Sequence, residues 1–152
     1  MPNWDSAQYG TFLDWRTRPS RDLLQRVDLA SARRIIDLGC GPGNSTALCV
    51  ERWPAASIIG LDSSQEMIKL ARALQPGPQF EVGDIGDWVR QANHPGERVD
   101  LIFSCAALQW VDDHADVFPR LIRKLAPDGV LAVHMPAYDA IPNRVMREMA
   151  GK

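Results

Sequence analysis

Gly39, Gly41 and Gly43 stand at alternate positions just after the apolar run Ile35-Ile36-Asp37-Leu38, and Asn44-Ser45-Thr46 follows directly. Glycine accepts positive φ and lets the backbone come close to a neighbour, because no Cβ is in the way. Strand, glycine turn and helix together form the ligand-binding corner of a doubly wound α/β sheet. Carboxylates recur at the ends of the apolar runs around that corner: Asp37 in the first, Asp62 nineteen residues beyond Gly43, and Asp84 after a third. A carboxylate at Asp62 can accept hydrogen bonds from both hydroxyls of a ribose. It can also cap the helix that follows, and the two roles are compatible. Asp84 can accept from an adenine amino group while Ile85 packs on the ring, or it can be a plain turn residue. Asp37 suits organising the glycine loop or receiving a ligand ammonium through water.

The spacing narrows the ligand. The dinucleotide fingerprint G-x-G-x-x-G uses its third glycine for close helix packing under a pyrophosphate. Here Asn44 takes that position and the extra glycine falls one residue early, at Gly43. A G-x-G-x-G turn suits an amino-acid-plus-nucleoside ligand lying across the strand ends. No Gly-Lys-Ser/Thr ending follows, which excludes a P-loop. Asp37-Leu38-Gly39-Cys40-Gly41-Pro42-Gly43 resembles the first motif of class I methyltransferases, which use S-adenosylmethionine and release S-adenosylhomocysteine. The candidate cofactor-binding residues are Asp37, Gly39, Gly41, Gly43, Asn44, Asp62, Ser63, Met67, Asp84, Ile85 and Ser104. Ser104 opens a run of small residues, Ser104-Cys105-Ala106-Ala107, that leaves room for the methionyl part.

The elements that position these residues follow from the apolar pattern. A helix through about residue 27 carries Leu23, Leu24 and Val27 on one face. Strands are expected at about 33–38, 57–61, 79–83, 99–103 and 130–134. Helices are expected from 44, with Asn44 or Ser45 as N-cap, to Trp53-Pro54, and from a Ser63-x-x-Glu66 capping box with Met67, Leu70, Ala71 and Leu74 inward. A short helix or loop falls at 87–91, and a helix near 116 places Pro119 in its first turn. Pro127-Asp128-Gly129 reads as a turn, and 142–149 as the start of another helix. The alternation implies an α/β fold, a Rossmann-like doubly wound sheet, mostly parallel, with helices on both faces. Residues 1–30 are expected to form an N-terminal helical lid and residues 31–152 the cofactor-binding core. Five strands are present, so the core is expected to be C-terminally incomplete relative to the seven-strand methyltransferase fold. An uncovered fifth strand is an exposed edge able to pair, which suggests a homodimer through it.

Composition excludes several classes. The chain has 152 residues, 45% of them hydrophobic, with 17 basic against 19 acidic side chains. That is one domain with an ample core, and no basic surface to displace the counterions of nucleic acid. No apolar run approaches the roughly 20 residues of a membrane helix. Cys40, Cys49 and Cys105 match neither a disulfide framework nor a metal site, so reduced thiols in a cytoplasmic protein are expected, with no metal.

The resemblance extends beyond the loop. Asp37–Thr46, Arg52-Trp53-Pro54-Ala55-Ala56, Gly60-Leu61-Asp62-Ser63-Ser64, Leu108-Gln109-Trp110 and the amino-terminal Trp4, Tyr9, Phe12, Arg16, Arg18 and Pro19 resemble the trans-aconitate 2-methyltransferase family. The resemblance implies esterification of one carboxylate of a small polycarboxylic acid. No catalytic residue is required, because a carboxylate with a pKa of about 4–5 is already ionised at neutral pH. Cations must hold the remaining carboxylates, and arginine does so bidentately. Arg16 and Arg18 are the candidates, with Trp4, Tyr9 and Trp110 as walls or donors and His114 as a further polar group. The arginines can equally belong to a solvated helix face, and Trp110 to the core. His94 and His134 offer no site argument.

Two other classes remain. A nicotinamide-dependent oxidoreductase would want a glycine where Asn44 stands. A non-catalytic cofactor-binding remnant or dimeric module would keep the loop without turnover. Methylation of nucleic acid or protein has no supporting motif. Replacing Arg16 with Ala in an active full-length form is expected to raise the KM for the acceptor with S-adenosylmethionine affinity little changed. An unchanged acceptor KM removes Arg16 from the site.

Overall fold

The computed structural model describes residues 17–92 and 98–137. A helix, α1, covers 17–25. It is followed by β1 (Arg34–Leu38), α2 (Asn44–Arg52), β2 (Ser57–Asp62), α3 (Gln65–Leu74), β3 (Gln79–Val82), α4 (Ile85–Arg90), β4 (Val99–Cys105), α5 (His114–Lys124) and β5 (Leu125–His134). A 3₁₀ turn, Leu108–Trp110, links β4 to α5. All strand pairs are parallel, in the order β3-β2-β1-β4-β5. Chain order reverses between β1 and β4, so both connections leaving that junction open toward the carboxyl ends of the strands.

The strands are apolar on both faces because helices cover both. On one side Leu24, Val27, Cys49 and Trp53 pack on Ile35, Ile58, Leu101, Phe103 and Ala132. On the other, Val89, Leu108, Val117 and Leu121 pack on Ile36, Leu38, Leu61 and Ile102. The carboxyl end of α1 is fastened by Arg52, whose guanidinium donates to the carbonyls of Leu24 and, at 2.6 Å, Val27. Among the described residues no helix is long and apolar enough to cross a membrane.

Several local expectations are corrected. The side chains of Asn44 and Ser45 cap nothing: Gly43 is the N-cap of α2, at φ 90°, with no side-chain cap bond. The Ser63–Glu66 capping box does not form either. Ser64 is the N-cap of α3, and its hydroxyl accepts from Met67 N. The buried face of α3 is Ile68 and Ala71, while Met67, Leu70 and Leu74 are 37%, 42% and 53% exposed. Four apolar positions at helical spacing do not say which side meets the sheet; the crossing onto Phe80 decides it. The helix expected near 116 begins at His114 with Asp113 as N-cap, so Pro119 sits beyond the first turn. Pro127-Asp128-Gly129 is an irregularity inside β5 where Asp128 adopts φ 63° and the register against β4 shifts. The helix expected at 142–149 lies outside the described residues.

The orientation of α3 gives the first check. Ile68→Ala is expected to cost about 2–5 kcal/mol in urea unfolding, as for a fully buried side chain. Leu74→Ala is expected to fall within about 0.5 kcal/mol. Equal losses at both positions contradict this packing.

Candidate functional site

The glycine loop sits at the carboxyl end of β1, held to the end of β2 by three hydrogen bonds. Gly39 N and Cys40 N donate to Leu61 O at 2.8 and 3.1 Å, and Gly41 N donates to Asp62 Oδ2 at 2.9 Å. Gly39, Gly41 and Gly43 all have positive φ, at 73°, 53° and 90°. A Cβ on Gly39 would lie 2.1 Å from Ala107 Cβ, so the first turn of the loop touches the segment after β4. Gly60 serves the same closeness from below, since a Cβ there would strike the Phe80 ring at 2.7 Å and Cys40 Sγ at 2.9 Å.

Asp37 lies under the loop with no solvent exposure. Ser45 Oγ and Thr46 Oγ1 each donate to its Oδ2 at 2.6 Å. Oδ1 is buried and has no partner. Burial pushes this carboxyl up to about 6; the two hydroxyls oppose the shift and Asp62 adds to it. A buried acceptor without a donor usually marks the place of a water, an ion or a ligand group. Gln109 has a similar orphan, Oε1, while its Nε2 donates to Ala106 O at 2.8 Å. Ala106 itself is held at φ 56° at the end of β4, and such a strained non-glycine residue is common beside functional sites.

The carboxylates at the strand ends have structural duties as well. Asp62 accepts from Gly41 N through Oδ2 and from Ser64 N through Oδ1, at 2.9 Å each. Each oxygen has a second lone pair, so capacity remains for two outside donors. Asp84 caps α4, accepting from Asp87 N at 3.0 Å, and is exposed. Ile85 follows it, with Cδ1 3.8 Å from where a Gly39 Cβ would be. Asn44 is the first residue of α2, Ser63 is exposed beside Asp62, and Met67 is in the first turn of α3.

Three further candidates take other places. Ser104 is fully buried, and its hydroxyl donates to Leu38 O at 3.0 Å, which ties β4 to β1 and leaves no surface for a cofactor. Arg18 faces Asp22 one turn on at 3.7 Å, with 68% of its side chain exposed, so it forms an ordinary solvated helix pair. His114 Nε2 lies 2.8 Å from Leu108 O; a carbonyl only accepts, so that nitrogen carries the proton and holds the 3₁₀ turn. Trp110 is 83% exposed, which rules out a core role. Trp4, Tyr9 and Arg16 lie outside the described residues.

The most prominent cavity does not belong to this site. A cavity of about 760 Å³ opens among Arg34, Ser57, Trp88, Gln91, Val99 and Lys124, at the amino ends of the strands. The glycine loop is at the opposite end, where the chemistry-bearing groups converge. Among the described residues no cluster of His, Cys, Asp or Glu could hold a metal ion.

Comparison with known proteins agrees with the geometry. Residues 35–129 match the family model described as Methyltransferase domain. A relative from Azoarcus sp. (strain BH72), named trans-aconitate 2-methyltransferase, is 51% identical over 99% of this chain and 58% of its own length. The chain thus spans little more than half of that protein. A crystal structure of an S-adenosylmethionine-dependent methyltransferase from Mesorhizobium loti is 31% identical, with a TM-score of 0.62 over 80% of this chain and 52% of the other. The plantazolicin methyltransferase BpumL, in complex with a pentazolic desmethylPZN analog and SAH, has a TM-score of 0.66 at 22% identity, covering 93% and 52%. That likeness carries the fold alone.

The buried carboxyl makes a pH prediction. Folded Asp37 holds its proton up to about 6, against an ordinary value of 3.8. The folded state therefore binds the proton more tightly than the unfolded chain. The stabilisation is complete below the unfolded value and is lost as pH rises through about 6. Relative to Asp37→Asn, the parent chain is expected to lose on the order of 3 kcal/mol across that window in urea unfolding. Parallel stability curves for the two proteins contradict the assignment.

Proposed function

This chain belongs to the methyltransferase-domain family, and on that premise we propose that it is the S-adenosylmethionine-binding part of a carboxylate O-methyltransferase acting on a small polycarboxylic acid such as trans-aconitate. The observation that carries the reading is the orphan oxygen of buried Asp37 under a loop of three positive-φ glycines, with Asp62 fastened beside it. The acceptor class rests on the name of the 51% identical relative.

The donor set suits the cofactor. Asp37 Oδ1 is an acceptor in need of a donor, and an ammonium, directly or through water, is one. Asp62 retains a lone pair on each oxygen for a diol. Asp84 has a second oxygen beyond the one that caps α4, and Ile85 offers an apolar face beside it. The missing Cβ atoms of the loop let backbone, not side chain, line the site. S-adenosylmethionine held here would supply an electrophilic methyl carbon on a sulfonium, to which a carboxylate oxygen would bond in line as the carbon–sulfur bond breaks, leaving an ester and a neutral thioether.

The residues of this chain bind and orient. No proton has to be removed from a carboxylate acceptor at neutral pH, so positioning is the main task. Holding reactants in line is worth roughly 7–11 kcal/mol. Exposed Trp110, just beyond β4, offers an apolar wall on the acceptor side. The three free thiols support a reducing, cytoplasmic location.

Calorimetric titration with S-adenosylhomocysteine tests the reading. One site per chain is expected, and Gly39→Ala is expected to weaken it at least ten-fold. The added Cβ would overlap Ala107 at a backbone φ that L-residues rarely adopt. A folded chain that binds NADH but not S-adenosylhomocysteine overturns the proposal.

A further inference from the structure

The ends of β4 and β5 carry a side-chain chain that neither the loop nor the cofactor groups use. Cys105 Sγ lies 3.7 Å from His134 Nδ1, across the last paired position of the two strands. Ser20, 6% exposed on α1, hydrogen-bonds the same thiol. Ala106 N donates to His134 O at 2.8 Å, which pins the strand end carrying the imidazole. Cys105 packs against the core on the α1 face. His134 lies in register with it and two residues beyond buried Ala132, on that same face.

The contact couples the thiol to the imidazole tautomer. Burial holds the Cys105 thiol protonated, with Ser20 hydrogen-bonded to it. An S–H given to Nδ1 leaves Nε2 as the N–H. Cys105 is in register with His134, and extending the β1–β4 pairing from Asp37–Phe103 brings Cys105 level with Gly39. His134 is thus two strand positions from the first loop glycine, about 10 Å away. That separation suits a group that holds one end of an acceptor whose other end meets the loop-bound cofactor.

We propose that His134, oriented by Cys105 and Ser20, donates from Nε2–H to a carboxylate of the acceptor that is not methylated. The inference rests on the methyltransferase reading above and adds a substrate-positioning residue to it. It supplies a donor on the α1 side of the strand ends, where Arg18 faces Asp22. Cys105 and Ser20 are positioning residues: they fix which ring nitrogen carries the proton and which way it faces.

Long-range ¹H–¹⁵N spectra of the histidine rings test this in the intact chain, with S-adenosylhomocysteine present and trans-aconitate as the probe. The Nε2–H tautomer is expected for His134 before addition, and its ring resonances are expected to move on titration with the acid. Cys105→Ala is expected to mix the tautomers and weaken the acid at least three-fold. Cys105→Ser, which can still donate to Nδ1, is expected to restore both. His134→Ala is expected to weaken the acid at least ten-fold with S-adenosylhomocysteine affinity unchanged, whereas His134→Gln keeps a donor and loses less. A His134 ring that does not respond to millimolar acid while S-adenosylhomocysteine binds overturns this inference alone. Loss of S-adenosylhomocysteine binding in the parent chain overturns the methyltransferase reading instead. A Nδ1–H tautomer in the parent chain overturns the proposed orientation.

Discussion

A carboxyl group with no access to solvent stands in the middle strand of the sheet, and the geometry of the ligand end is built around it. Asp37 could not be buried there alone, because an isolated charge in an apolar interior is very costly. Ser45 and Thr46 meet it at 2.6 Å from the first turn of α2. Their hydroxyls can reach it only if α2 starts immediately beyond the loop. That requires the chain to turn sharply at Gly39, Gly41 and Gly43, all at positive φ. One oxygen still remains unpartnered. The same constraint thus sets the start of the helix, the shape of the loop and an unpartnered carboxyl oxygen beneath it.

The neighbouring strands serve this arrangement through close contacts. Gly60 is in register with both Asp37 and Phe80, and its missing side chain lets the Phe80 ring approach Cys40 and support the loop. Ser104 ties β4 to Leu38 from the other side. Asp62 and Asp84 both hold backbone amides, of the loop and α3 in one case and of α4 in the other. A carboxylate has more lone pairs than these duties occupy. Structural capping and ligand binding therefore share residues without conflict, and internal hydrogen bonds orient the polar groups at the strand ends.

Much of this was legible in the chain itself. Five apolar runs separated by helical spacing specify a parallel sheet, since strands covered on both faces need continuous apolar sequence. Gly39, Gly41 and Gly43 specify the loop, because no other residue fits positive φ so cheaply. Asp37, Asp62 and Asp84 are recognisable by lying at the ends of strands. Helix caps were less legible. Ser63 and Ser64 are adjacent and chemically alike, and only the direction in which β2 ends selects Ser64. The buried face of α3 was not legible for a related reason: Met67, Leu70 and Leu74 make a good apolar stripe, yet Ile68 is the residue that meets Phe80.

His134 had no signal in the sequence. It is a single histidine at the end of an apolar run, and its partners are 29 residues away in Cys105 and on the far side of the chain in Ser20. Ser104 and Arg18 likewise have internal partners that their residue types do not announce, Leu38 O and Asp22. The sequence by itself determined the fold class, the loop and the carboxylates around it, because these depend on local backbone preference and on the period of burial. The tertiary structure alone decided which polar atoms are left without a partner, because that depends on distances between residues far apart in the chain.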